Sequence, residues 1–182
     1  MQPTGSGKSL LFQMIATFLK GVTLCLSPLL SLSADQVNKL MGDETMITAL
    51  HLDECEQRDL PEIMALIKNL QDSSTLFIFS SPQAITDKFK SFGEVLIQDR
   101  LIKFVVVDEV HLFTHFGRTF REEFNHLNEH LFSKMPSTTP MPFLTATCST
   151  EQIDVAFQKM TRKSITHCEW PIPSTIMYMG NR

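Results

Sequence analysis

Phe104-Val105-Val106-Val107-Asp108-Glu109-Val110-His111 runs four apolar residues into two carboxylates and, two positions on, a histidine. An unbroken apolar run of this length reads as a strand covered on both faces, as in parallel sheets. A carboxylate at the tip of such a strand can hold Mg²⁺ through its water shell. The next carboxylate can orient and deprotonate an attacking water. Asp108 is therefore the candidate metal residue and Glu109 the candidate base. Standing alone, the pair also fits an acidic turn that closes a strand.

Outward from this run, strand candidates recur at residues 22–26, 46–50, 75–80 and 143–145, with a weaker one at 164–167. Helix-like stretches separate them at 9–19, 32–40, 56–70, 82–89, 122–132 and 151–160. In the first of these Leu11, Met14, Ile15 and Phe18 fall at the three-and-four spacing of one buried face. Ser31 is a candidate N-cap for the second, and Pro82 suits the first helical position of the fourth. Alternating strands and helices predict an α/β fold, a parallel sheet with helices on both faces. Ligands bind such sheets beyond the carboxyl ends of the strands.

The chain opens on Gln2-Pro3-Thr4-Gly5-Ser6-Gly7-Lys8-Ser9, a phosphate-binding loop pattern with Gln2 in place of the usual first glycine. Glycines let successive N–H groups turn inward toward phosphate oxygens. Thr4, Gly5, Ser6, Gly7, Lys8 and Ser9 are the candidate nucleotide-binding residues. Lys8 would reach the β- and γ-phosphates of ATP, and the Ser9 hydroxyl would ligate Mg²⁺. A helix starting near Ser9 would add its positive end. By itself the segment also fits a Gly/Ser-rich tail. Leu144-Thr145-Ala146-Thr147, a short strand running into hydroxyl residues, fits a turn before the next helix equally well.

Taken together, Gly5 to Ser9, Asp108-Glu109-Val110-His111 and Thr145-Ala146-Thr147 resemble motifs I, II and III of superfamily 2 helicases. Within that group the chain is most similar to the RecQ family of ATP-dependent DNA helicases. His111-Leu112-Phe113-Thr114-His115-Phe116-Gly117-Arg118-Thr119-Phe120-Arg121-Glu122-Glu123-Phe124 looks like that family's aromatic-rich loop. Ser27-Pro28-Leu29-Leu30-Ser31-Leu32 with Asp35-Gln36 resembles motif Ia, and Ser80-Ser81-Pro82-Gln83 resembles motif Ib. Three loop positions depart from the pattern: Phe116 replaces a tryptophan, Thr119 an aspartate and Phe124 a tyrosine. A phenylalanine still stacks on a base, worth about 1–3 kcal/mol.

The resemblance implies a P-loop NTPase domain that couples ATP hydrolysis, with Mg²⁺, to 3′-to-5′ unwinding of DNA in repair and recombination. It implies a linking role for His111 between nucleotide and DNA, and coupling roles for Thr145 and Thr147. Phe116, Arg118 and Arg121 become the candidate contacts to single-stranded or duplex DNA, although Phe120 and Phe124 fit core packing as well. It also implies a second RecA-like domain carrying an arginine finger. Residues 1–169 read as the first RecA-like domain, short of its first strand, and 170–182 as a linker toward the second. A truncated, non-catalytic module that binds nucleotide and DNA is the alternative reading. A small phosphoryl-transferring kinase also begins with a phosphate loop but lacks the Asp-Glu-Val-His box.

Composition sets the outer limits. The 182 residues are 43% hydrophobic and 20% charged, with 16 basic against 20 acidic side chains, a net charge of −4. That excludes attachment to DNA or membranes by bulk positive charge and leaves local contacts. Cys25, Cys55, Cys148 and Cys168 show no zinc spacing and read as reduced thiols of an intracellular protein, nuclear in a eukaryote. His51, His126, His130 and His167 show no metal-ligand spacing. The longest apolar stretch, residues 10–19, is too short to span a bilayer.

Overall fold

The computed structural model of the chain describes residues 8–41, 47–110, 117–145, 165–169 and 176–180. In chain order these form α1 (Lys8–Leu19), β1 (Gly21–Leu26), α2 (Leu30–Met41), β2 (Ile47–His51), α3 (Leu60–Lys68), β3 (Thr75–Ser80), α4 (Lys90–Gln98) and β4 (Ile102–Val107). There follow α5 (Gly117–His130), β5 (Pro142–Thr145), β6 (Ile165–Glu169) and β7 (Ile176–Gly180). The helix expected over 151–160 lies outside the described residues.

The strands form one sheet in the order β2-β3-β1-β4-β5-β7-β6. The first five are parallel, as the alternation of elements predicts. β7 pairs antiparallel with β5, and β6 antiparallel with β7. β7 falls within residues 170–182, the stretch read above as a linker.

The apolar runs are continuous because both faces of the sheet are covered. Val22, Leu24 and Leu26 of β1, Leu76 and Ile78 of β3, and Val105 and Val107 of β4 enter one core. Their alternates Cys25, Phe77, Phe79, Phe104 and Val106 enter the other. Successive side chains on a strand point to opposite faces, so a strand between two cores buries nearly every position, as β1 does from Val22 to Leu26 with Thr23 included. Ile102 and Phe104 break this rule and face different cores. A register shift between Val22 and Thr23 skips Lys103, and such a bulge swaps the faces beyond it.

Helices divide between the faces. α1 and α2 supply Phe12, Ala16 and Leu40 to one core. α3, α4 and α5 supply Ile63, Ile67, Phe92, Leu96 and Leu127 to the other. β1 and β4 are neighbours, yet the helices that follow them lie on opposite faces. The carboxyl ends of β1 and β4 are therefore the point at which doubly covered parallel sheets bind ligands.

Several local expectations shift. α1 buries Phe12 and Ala16, while Met14 and Phe18 are exposed at 62% and 86%. Leu10 to Leu19 is apolar on nearly every side, so spacing alone does not single out a face. α2 begins at Leu30, placing Ser31 inside the first turn; the Ser27 hydroxyl instead accepts the Leu29 N–H at 3.2 Å. α3 begins at Leu60 after a single 3₁₀ turn, Gln57–Asp59, held by reciprocal bonds between Glu56 and Asp59. The helix from Pro82 passes through a π-type turn, Ala84–Lys88, and the chain continues helically as α4. α5 starts at Gly117, earlier than the apolar spacing indicates.

Candidate nucleotide site at the strand ends

Asp108 directly follows the carboxyl end of β4. Its backbone N–H donates to the Leu26 carbonyl of β1 at 2.8 Å. Its side chain accepts the Glu109 N–H on Oδ1 at 2.9 Å and is 9% exposed. Glu109 is half-buried and adopts φ +52°, in the left-handed region that a residue with a Cβ rarely enters. Val110 then donates its N–H to Leu144 of β5 at 3.0 Å. The chain thus turns sharply within two residues, pinned to a neighbouring strand on each side. Burial, then the Asp108 charge, push the Cys25 thiol well above its ordinary value. This cysteine is a core residue and not a nucleophile. Cys25 and Cys55 are both free thiols.

α1 opens at Lys8, so Lys8 and Ser9 occupy the first turn, where helical N–H groups have no intrahelical partner. Ser9 is half-buried, and its hydroxyl accepts a bond from Gln36 Nε2 of α2 at 3.2 Å. A serine hydroxyl and a carboxylate at a strand tip are hard oxygen donors and suit Mg²⁺. The residues present therefore fit the ion that the phosphate-loop pattern calls for. Thr4, Gly5, Ser6 and Gly7 lie outside the described residues.

A second polar cluster lies at the ends of β2 and β3, and the sequence gives little sign of it. Asp53 accepts both the backbone N–H of Ser81, at 2.8 Å, and the Ser81 hydroxyl. The Ser81 hydroxyl oxygen in turn accepts the Ala84 N–H at 3.1 Å, fixing the turn that starts the next helix. His51 is buried, with Nδ1 3.9 Å from Asp53 Oδ2. Asp53 and Ser81 are 28 residues apart, and only adjacency of β2 and β3 brings them together. The resemblance of residues 80–83 to motif Ib marks the segment but not its anchor.

Other expected site residues fall as follows. Thr145 ends β5, and its backbone pairs with Ile176. Arg118 and Arg121 lie in the first two turns of α5. His111, Phe116 and Thr147 lie outside the described residues. The rings of His126 and His130 meet edge to face with centroids 5.9 Å apart. Among the described residues no group of three or more His, Cys, Asp or Glu could hold a metal ion. No described helix is long and apolar enough to cross a membrane. A cavity of about 570 Å³ lined by Glu94, Arg100, Lys134 and Met135 adjoins the amino end of β4, the end opposite Asp108.

Comparison with known proteins places the chain in a family. The sequence profile described as DEAD/DEAH box helicase matches residues 1–155. "ATP-dependent DNA helicase Q5" of Rattus norvegicus is 27% identical over 172 residues, covering 94% of this chain and 17% of that protein. "RecQ-like DNA helicase BLM" of Xenopus laevis is 31% identical over 167 residues, 91% of this chain and 12% of that protein. "ATP-dependent DNA helicase RecQ" of Bacillus subtilis is 30% identical over 154 residues, 85% of this chain and 25% of that protein. The chain thus spans a quarter or less of the length of these relatives.

Proposed function

Because this chain belongs to the DEAD/DEAH box helicase family, we infer that it is the ATP-binding module of a RecQ-like DNA helicase that unwinds DNA 3′ to 5′. The observation that carries the reading is the strand-end arrangement. Asp108 and Glu109 turn out of β4 beside β1, where the helices of adjacent strands diverge, and α1 begins at Lys8 and Ser9. Lys8 would meet the β- and γ-phosphates. Ser9, and Asp108 through water, would hold Mg²⁺. The ion would supply charge neutralisation at the transferring phosphoryl group.

Glu109 would take the proton from the attacking water. The tight turn, fixed by the Asp108 and Val110 backbone bonds, aims its carboxylate independently of the strand. His111, Thr145 and Thr147 would report the state of the nucleotide to the DNA side. There Phe116 would stack on a base and Arg118 and Arg121 would meet phosphates. Local contacts of this kind suit a chain whose net charge is −4. A second RecA-like domain would close over the nucleotide and add an arginine worth about 10³–10⁵ in rate.

Titration with a fluorescent ATP analogue tests the nucleotide assignment. Lys8→Ala is expected to weaken binding by about 100-fold or more, the loss of a charge-assisted contact worth roughly 3 kcal/mol. Affinity equal to the parent chain would refute the phosphate-loop assignment.

A further inference from the structure

Gln36 carries an unanswered polar atom next to the candidate metal residue. It projects from α2, is 7% exposed, and donates from Nε2 to the Ser9 hydroxyl oxygen at 3.2 Å. Its other amide atom, Oε1, is buried with no hydrogen-bond partner. Buried carbonyl oxygens are nearly always paired. This one belongs to the very group that holds Ser9.

The two atoms of an amide exchange places by rotation about the last side-chain torsion. A serine hydroxyl has one proton and two lone pairs. With Nε2 toward Ser9, one lone pair of Oγ is committed to the amide. A hydroxyl that ligates a cation turns a lone pair to the metal and its proton away, so that proton needs an acceptor. With Oε1 toward Ser9, the amide accepts the proton and leaves both lone pairs of Oγ available. The same pair of side chains therefore holds the hydroxyl in either of two senses, and only the second gives its proton an acceptor while both lone pairs stay available.

We propose that Gln36 is a positioning residue for the Mg²⁺ site, its amide oxygen accepting the Ser9 hydroxyl proton whenever Ser9 ligates the ion. This rests on the reading of Ser9 as a Mg²⁺ ligand. Because Gln36 belongs to α2 and Ser9 to α1, the bond also ties metal occupancy to the relative placement of the two helices that cover one face of the sheet.

The test is the Mg²⁺ concentration that half-saturates binding of a fluorescent ATP analogue, with affinity in EDTA and thermal melting recorded alongside. Gln36→Met keeps the side chain's length without its polar atoms. It is expected to raise the Mg²⁺ requirement about tenfold, as loss of groups that orient a metal ligand commonly does, with EDTA affinity within twofold. Gln36→Glu keeps an acceptor and removes the donor, and is expected to need no more Mg²⁺ than the parent chain. A folded Gln36→Met with an unchanged requirement overturns the proposal, and so does a Gln36→Glu that needs more Mg²⁺. Ser9→Ala separates the two levels. If it raises the requirement while Gln36→Met does not, the metal reading stands and the role of Gln36 falls. If Ser9→Ala leaves the requirement unchanged, both fall.

Discussion

Glu109 holds a conformation that costs the fold something. A residue with a Cβ at φ +52° pays about 1–2 kcal/mol against the right-handed alternative, and such outliers gather at functional sites. Glu109→Gly is therefore expected to melt at the same temperature as the parent or higher, by up to about 1 kcal/mol of stability after the added freedom of the unfolded chain is subtracted. It should lose basal phosphate release. Glu109→Gln should keep both the melting point and nucleotide binding while losing turnover. A Glu109→Gly variant more than about 1 kcal/mol less stable would show that the turn is not strained. The acidic pair could be read directly from sequence because an apolar run ending in charge leaves few other placements. The bonds from Gln36 to Ser9 and from Asp53 to Ser81 could not. Each joins residues 27 or 28 apart, and only the stacking of elements makes them neighbours.

Elements followed from sequence where burial imposed one pattern and blurred where it imposed none. Residues 76–79 of β3 and 104–107 of β4 are apolar at every position because two cores demand it. α1 is apolar around most of its surface, so its buried side was settled by packing, on Phe12 and Ala16. α4 escaped notice because Gly93 interrupts it, and glycine weakens helices. In the fold Gly93 is buried, and a Cβ there would meet Ile85 Cδ1 at 3.3 Å; the small residue lets α4 sit close to the preceding turn. The junction of α1 and β1 is a single residue, Lys20 at φ +59°, followed by Gly21 at φ +81°. A Cβ on Gly21 would lie 2.8 Å from Lys103 Cγ, in the bulge of β4. Gly21→Ala is expected to cost about 1–2 kcal/mol, and Lys20→Gly, at a similar angle, to cost nothing. Chemical denaturation of the two variants measures the difference; equal losses would mean that the junction relaxes.

At the scale of the whole molecule, the strand order predicts a stability graded from the middle of the sheet outward. β1 is paired on both sides and lies between the two cores, whereas β2 forms an edge. Amides of Leu24, Ile78 and Val105 should exchange with deuterium only through global unfolding, and those of β2 through smaller openings. Equal protection in β2 would mean that another segment covers its edge. Sequence conveyed the five parallel strands and the position of Asp108 directly after β4. The antiparallel course of β7 and β6 was not conveyed, because short strands at a sheet margin carry no pattern that fixes direction. The strand ends themselves are laced in a row: Ser27 to Ser80, Asp108 to Leu26, Val110 to Leu144. Each stitch runs from one peptide group to another, and every residue except proline carries both halves of it. Descendants of such a chain can exchange nearly any side chain along this rim and keep its lacing. Proline at 27, 108 or 110 would remove a stitch from it.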